Sequence, residues 1–193
     1  MTGGTHDGRA AVAEVVAALD GFEPRSDREA ADVERVLRRA VAHDPWGRDS
    51  PLHVTGSALV VHPATRRVLL RWHERMGSWL QVGGHADPGE TDPLRTARRE
   101  AQEETGLGDL VPWPDPERPR LVHVVIVPVP AGKGEPDHEH ADFRYLLATG
   151  RPDDAVAESA VARLRWLGLG DARSVAAEDN LLVTLDRLAS LLL

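Results

Sequence analysis

Hydrophobic and polar positions alternate with two different periods along the chain. In residues 9–19 and 26–42 apolar residues recur at helical spacing, and Val33, Val36, Leu37 and Ala40 make one stripe on the second segment. Ser26, followed three residues later by Glu29, forms a capping box at its start. Asp44-Pro45-Trp46-Gly47 ends this region. From Pro51 onward the pattern is that of strands, over 53–61, 67–72, 79–82, 122–129, 143–148 and 164–167. A helix over 177–192 follows, with Leu181, Leu185, Leu188 and Leu192 on one face. Strands interleaved with helices imply a layered α/β domain. Two units are expected: residues 1–50 as an N-terminal helical extension and 51–193 as the α/β domain. The apolar stripe of the extension must be covered, either by the domain's own sheet or by a second copy of the chain, so monomer and homodimer both stand. The proline-rich stretches 112–119 and 130–136 are expected as loops, because proline denies ladder hydrogen bonds.

One further helix carries the candidate chemistry. Asp92 before Pro93 is a strong start, since the aspartate accepts orphan backbone N–H groups and proline at the first position wastes no donor. Gly106 is a fitting stop. At about 100° per residue, Leu94, Ala97, Ala101 and Thr105 form the core-facing stripe, and Arg95, Arg98 and Gln102 the solvated side. Glu100, Glu103 and Glu104 share a third arc. Like charges so placed repel, so the fold gains nothing from them unless a cation binds there. Carboxylate oxygens suit Mg²⁺ or Mn²⁺. Arg99, four residues before Glu103, can brace one carboxylate. By itself the Glu-x-x-Glu-Glu pattern is more often that of a solvated acidic face, because glutamate is common on exposed helices.

The flanking residues change this. Gly84-His85-Ala86-Asp87-Pro88-Gly89-Glu90, followed by Arg99-Glu100-Ala101-Gln102-Glu103-Glu104-Thr105-Gly106-Leu107, resembles the signature of the Nudix hydrolases. Gly84, Glu90, Arg99, Glu100, Glu103, Glu104 and Gly106 occupy its specified positions. The chain departs from the common pattern in three places: eight residues rather than seven separate Glu90 from Arg99, Ala101 fills the apolar slot, and Val82 stands where many relatives have proline. His85 directly after the glycine pair resembles a branch of the family with Gly-Gly-His before the helix.

The resemblance implies a mixed sheet sandwiched between helices, an α/β/α sandwich. It also implies a pyrophosphohydrolase that uses a metal-activated water to cleave the phosphoanhydride of a nucleoside diphosphate linked to another moiety. Gly84, through its carbonyl, and Glu100, Glu103 and Glu104 would hold the metal. Glu103 and Glu104 would also be catalytic, with Arg99 and Glu90 supporting them. The base stays open among the helix glutamates, Asp142 and Glu158. Two other roles occur among relatives. Isomerisation of isopentenyl diphosphate relies on a cysteine, which this chain lacks. A non-catalytic nucleotide-sensing or partner-binding module usually has a degraded glutamate pair, which here is intact.

In residues 138–145, strand periodicity puts His138, His140, Asp142 and Arg144 on one face, and Phe143 and Tyr145 on the other. His-x-His is a good metal-ligand spacing, and Asp142 could supply a third ligand. Contact with a substrate phosphate or a catalytic water is the competing reading, and simple hydrogen-bonded histidines the third. His85 and Glu158 join this candidate substrate-binding group. Of five tryptophans, Trp113 in the proline-rich loop is the best placed to stack on a base.

Composition narrows the class. There is no Cys, which excludes disulfides, thiolate nucleophiles and cysteine-based metal sites. The apolar run 10–19 is broken by Glu14, so neither a signal peptide nor a membrane span is expected and the cytoplasm is the default compartment. A net charge of -8 disfavours nucleic acid as a partner. A small-molecule diphosphate, most simply a nucleotide, is the expected partner.

Overall fold

Strand β1 (Leu52–His62) is buried from Leu52 to Val61, with neighbouring strands along both its edges and helix packing on its apolar positions. Strand β7 (His138–Ala148) runs parallel to it along one edge. The other edge is shared by two antiparallel strands, β4 (Val82–His85) opposite residues 55–58 and β2 (Arg67–His73) opposite residues 60–62. Strands β3 (Ser78–Leu80) and β8 (Leu164–Gly168) pair with β2, while β5 (Val111–Pro112) and β6 (Leu121–Val129) pair with β7, all antiparallel. The result is an eight-stranded mixed sheet. These relationships come from a computed structural model that describes residues 8–132 and 134–192. Positions 1–7 and 193 of the two expected units, and position 133 of the expected loop 130–136, lie outside the described residues.

Helices cover the two faces, as expected for an α/β/α sandwich. Helix α3 (Pro93–Thr105) buries Ala97 and Ala101 against Val54, Ala58, Val60 and Val82. Its ends are those the sequence predicts: Asp92 Oδ1 accepts from Leu94 N at 2.9 Å and Arg95 N at 3.3 Å, and Gly106 is left-handed at φ 70°. Gly56 on β1 permits the approach, since a Cβ there would lie 2.3 Å from the Pro93 carbonyl oxygen. On the opposite face α4 (Leu169–Val175) and α5 (Asp179–Leu192) pack on Leu59, Val61, Val68, Leu70 and Leu146, with Leu181, Leu185, Leu188 and Leu192 all buried.

Helices α1 (Gly8–Ala18) and α2 (Asp27–Ala42) add to the α3-side core through Val15, Val36 and Ala40, so the apolar stripe is spent on this chain's own domain. Helix α2 also closes a sheet edge. Glu29 accepts from Val124 N at 3.2 Å and Asp32 from Ile126 N at 3.1 Å, which satisfies outward amides of β6. Arg187 of α5 grips Glu29 at 2.7 and 2.8 Å and the Val122 carbonyl at 2.6 Å. That pull changes the capping box: Ser26 accepts from Glu29 N, but Glu29 reaches back to Arg25 N rather than to Ser26.

Other boundaries also differ from expectation. The stretch expected as one strand over 79–82 divides at Gln81, because β3 pairs with β2 and β4 with β1. Strand β7 begins at His138 rather than at 143, held there by β1 and β6 on its two edges. Val111 and Pro112 join the sheet before the proline-rich loop. At seven residues, α4 is too short to announce itself by periodicity. No helix among the described residues is long and apolar enough to cross a membrane.

Candidate active site

The acidic arc of α3 faces the glycine strand β4. Gly84 sits against Glu100 so closely that a Cβ would come within 2.5 Å of the carboxyl carbon. Glu104 Oε2 accepts from Gly83 N at 3.1 Å. Glu103 is the most exposed of the three glutamates. Arg99 ties the assembly together. It donates to Glu100 Oε1 at 3.0 Å, Glu103 Oε2 at 3.2 Å, Glu90 Oε2 at 3.0 Å and the His85 carbonyl at 2.7 Å. Glu90 is buried and also accepts from Thr96 Oγ1 and Asp87 N. Arg71 of β2 lies 3.3 Å from Glu104 and also pairs with Glu158, so the helix and the candidate loop base meet through one guanidinium.

Charge is unbalanced here. Among the described residues Asp87, Glu90, Glu100, Glu103, Glu104 and Glu158 share the guanidiniums of Arg71, Arg95 and Arg99. Burial pushes Glu104 up to about 7, with Arg71 and the Gly83 amide opposing it. Burial likewise raises Glu100, against the pull of Arg99. At Glu90 burial acts in the same sense, but the hydrogen bonds from Arg99, Asp87 N and Thr96 outweigh it and hold the carboxyl below the usual range. Carboxylates kept half-buried with too little positive charge, beside a glycine cradle that a Cβ would fill, fit a hard divalent cation.

The polar row of β7 faces the other side of the sheet. Register places His53, Thr55 and Ser57 of β1 beside His140, Asp142 and Arg144, and His85 of β4 beside Thr55. Asp142 is buried and accepts from Thr55 Oγ1 at 3.1 Å, Ser57 Oγ at 2.7 Å, Gln81 Nε2 at 3.3 Å and Arg144 Nε at 2.7 Å. Arg144, also buried, donates onward to the Asn180 carbonyl, Asn180 Oδ1 and Thr184 of α5. Asp142 is therefore not a third ligand beside His138 and His140, because its oxygens are committed to four donors. The two histidines instead meet His53 and His85, and the ligand atoms of all four lie within 4.8 Å of one another.

A cavity of about 370 Å³ on this face is lined by Gln81, Gly84, His85, His138, His140 and Asp142, among others. Trp113 does not line it, and packs instead against the core under α5. Sequence reasoning missed Arg71, His53, Thr55, Ser57 and Gln81. A signal for three of them was present: His53, Thr55 and Ser57 alternate at period two inside an otherwise apolar strand, which marks a polar patch on one face.

Known proteins share the family and the fold of this chain. The NUDIX domain model matches residues 51–182. A probable DHNTP pyrophosphohydrolase of Lactococcus lactis subsp. cremoris (strain MG1363) is 33% identical over 118 residues, covering 58% of this chain and 64% of that protein, so the match spans less than two thirds of the relative's length. A NUDIX-family hydrolase from Clostridium perfringens superposes with TM-score 0.56 at 25% identity, over 72% of this chain and 97% of that one. A C. elegans Ap4A hydrolase binary complex shares the fold at TM-score 0.57 and 21% identity, over 72% and 96%. With the signature residues brought together by β4, the loop after it and the capped helix α3, and the family model spanning most of the chain, the protein belongs to the Nudix family.

Proposed function

We propose that the chain is a Mg²⁺- or Mn²⁺-dependent pyrophosphohydrolase, cleaving a phosphoanhydride bond in a nucleoside diphosphate linked to another moiety. The observation that carries this is the glutamate arc of α3, backed by Gly84 and clamped by Arg99. The relative named as a DHNTP pyrophosphohydrolase supports the reaction class. Glu100, Glu103, Glu104 and the Gly84 carbonyl would hold the cation. When bound, the cation lowers the pKa of a coordinated water and offsets charge on the phosphoanhydride oxygens.

The chain's own residues supply the positioning. Arg99 orients Glu100 and Glu103 while pinning the His85 carbonyl and Glu90, so the loop and helix keep one geometry. Arg71 holds Glu104 and Glu158 together, which leaves the base among Glu158 and the helix glutamates. Asp142 is set aside because it faces the opposite side of the sheet with its oxygens committed. We read residues 51–193 as the catalytic unit, 1–50 as its helical extension, and the cytoplasm as its compartment.

The test is nucleotide or phosphate release from a panel of ADP-ribose, sugar nucleotides, dinucleotides and DHNTP, with and without Mg²⁺. Glu103→Gln and Glu104→Gln are expected to lower turnover by orders of magnitude while leaving the circular dichroism spectrum unchanged. Unaltered turnover in both variants would sink the reading. Tight binding of a panel member without turnover in the wild type would favour a nucleotide-sensing module instead.

A further inference from the structure

Four of the chain's nine histidines converge on the face of the sheet opposite the acidic helix. They arrive from three strands: His53 from β1, His85 from β4, and His138 and His140 from β7. We propose that His53, His85, His138 and His140 form a binding site for one Zn²⁺ ion, separate from the glutamate site of α3 and held through four imidazole nitrogens.

The ring geometry argues for a cation rather than for mutual packing. His53 Nδ1 lies 2.8 Å from the Ser50 carbonyl, and His138 Nδ1 2.8 Å from the Pro136 carbonyl. A carbonyl only accepts, so both Nδ1 atoms carry the proton and both Nε2 atoms present a bare lone pair. This is the outer-shell arrangement that fixes the tautomer of metal-ligating histidines. His53 is buried, and its Nε2 is buried with no hydrogen-bond partner among the described residues. His140 Nε2 lies 3.1 Å from both His85 Nε2 and His138 Nε2. His140 Nε2 offers one proton or one lone pair, so it cannot complete hydrogen bonds to both neighbours, and one close nitrogen pair is left without a hydrogen bond unless a cation takes up the lone pairs.

The spacing suits zinc. Four nitrogens at the usual Zn–N distance of about 2.0–2.1 Å in a tetrahedron are about 3.3 Å apart. Two observed separations are 3.1 Å, and the widest in the cluster is within 4.8 Å, so small ring rotations close the shell. Neutral imidazoles favour zinc over the hard ions that suit the glutamates of α3. The ion would staple β1, β4 and β7 at one point. It would also fix His85, whose carbonyl is gripped by Arg99 from the other side of β4.

The experiment is metal analysis of the tag-free full-length protein after incubation with stoichiometric Zn²⁺ and gel filtration in metal-free buffer. About one zinc per chain is expected in the wild type and in Glu103→Gln/Glu104→Gln, and none in His138→Ala/His140→Ala. X-ray absorption at the zinc edge of the wild type, which does not depend on how the histidine variant folds, should show a shell of nitrogen donors with the multiple scattering of imidazoles. Wild type that retains no zinc, zinc lost with the glutamate variant instead, or a shell of oxygens would each overturn the proposal. Loss of hydrolysis in the glutamate variant with zinc retained would leave the two sites distinguished.

Discussion

Arg99 does more than any other single side chain at the candidate site. Its fork reaches Glu90, Glu100, Glu103 and the His85 carbonyl at once, which a lysine ammonium on a flexible stem cannot do. Arg99→Lys keeps the charge and loses the geometry. Turnover is expected to fall by about ten- to a hundredfold, the usual cost of losing a residue that orients ligands. The denaturation midpoint should move little by comparison. A variant with wild-type turnover would show that the clamp is dispensable. Much of this cluster was legible in the sequence, because helix geometry alone groups Glu100, Glu103 and Glu104 and sets Arg99 one turn before Glu103. Arg71 was not legible: it lies on β2, far along the chain from Glu104, and only strand packing makes them neighbours.

At the scale of elements, α2 is more than an appendage. Its Glu29 joins the β6 edge to Arg187 on α5, with both partners of the ion pair buried. Glu29→Ala leaves a buried guanidinium without its counter-charge, at a cost of about 3–5 kcal/mol. Urea unfolding followed by tryptophan fluorescence should register this as a lower midpoint with an unchanged slope. A loss below about 1 kcal/mol, the range of exposed pairs, would mean that the pair is solvated in practice. The amphipathic pattern of 26–42 announced the helix and its buried stripe. The two carboxylates it turns toward β6 looked like ordinary acidic positions, since nothing local distinguishes an aspartate that caps a strand from one in water.

For the whole molecule, His123 sits where the sheet, α2 and α5 meet. Its Nδ1 is 2.9 Å from Thr184 Oγ1, and Glu29 lies 4.0 Å from its other nitrogen. Burial, reinforced by Arg144 and Arg187, takes it from 6.5 down to about 3. The unfolded chain therefore binds a proton that the folded chain refuses. Stability from this group is fully present above pH 6.5 and is lost as pH falls toward about 3, at about 1.4 kcal/mol per pH unit. His123→Asn, which can keep the Thr184 hydrogen bond, should show a shallower fall in stability between pH 6 and 5 than wild type. Parallel curves would count against a neutral buried His123.

The division between sequence and tertiary structure follows the range of the forces involved. Local pattern was enough for the helix from Asp92 to Gly106 with its three-glutamate arc, for the positions of the main strands, for the leucine face of α5, and for the polar row of β7. Each of these depends on periodicity and capping within a few residues. Tertiary structure alone decided which strand lies beside which. That choice set His53 against His140, committed Asp142 to Thr55 and Ser57, split the 79–82 stretch between two partners, and put the glutamates and the histidines on opposite sides of β4. Alternation tells which way a side chain points, whereas its neighbours across the sheet depend on closing loops far longer than the pattern can reach.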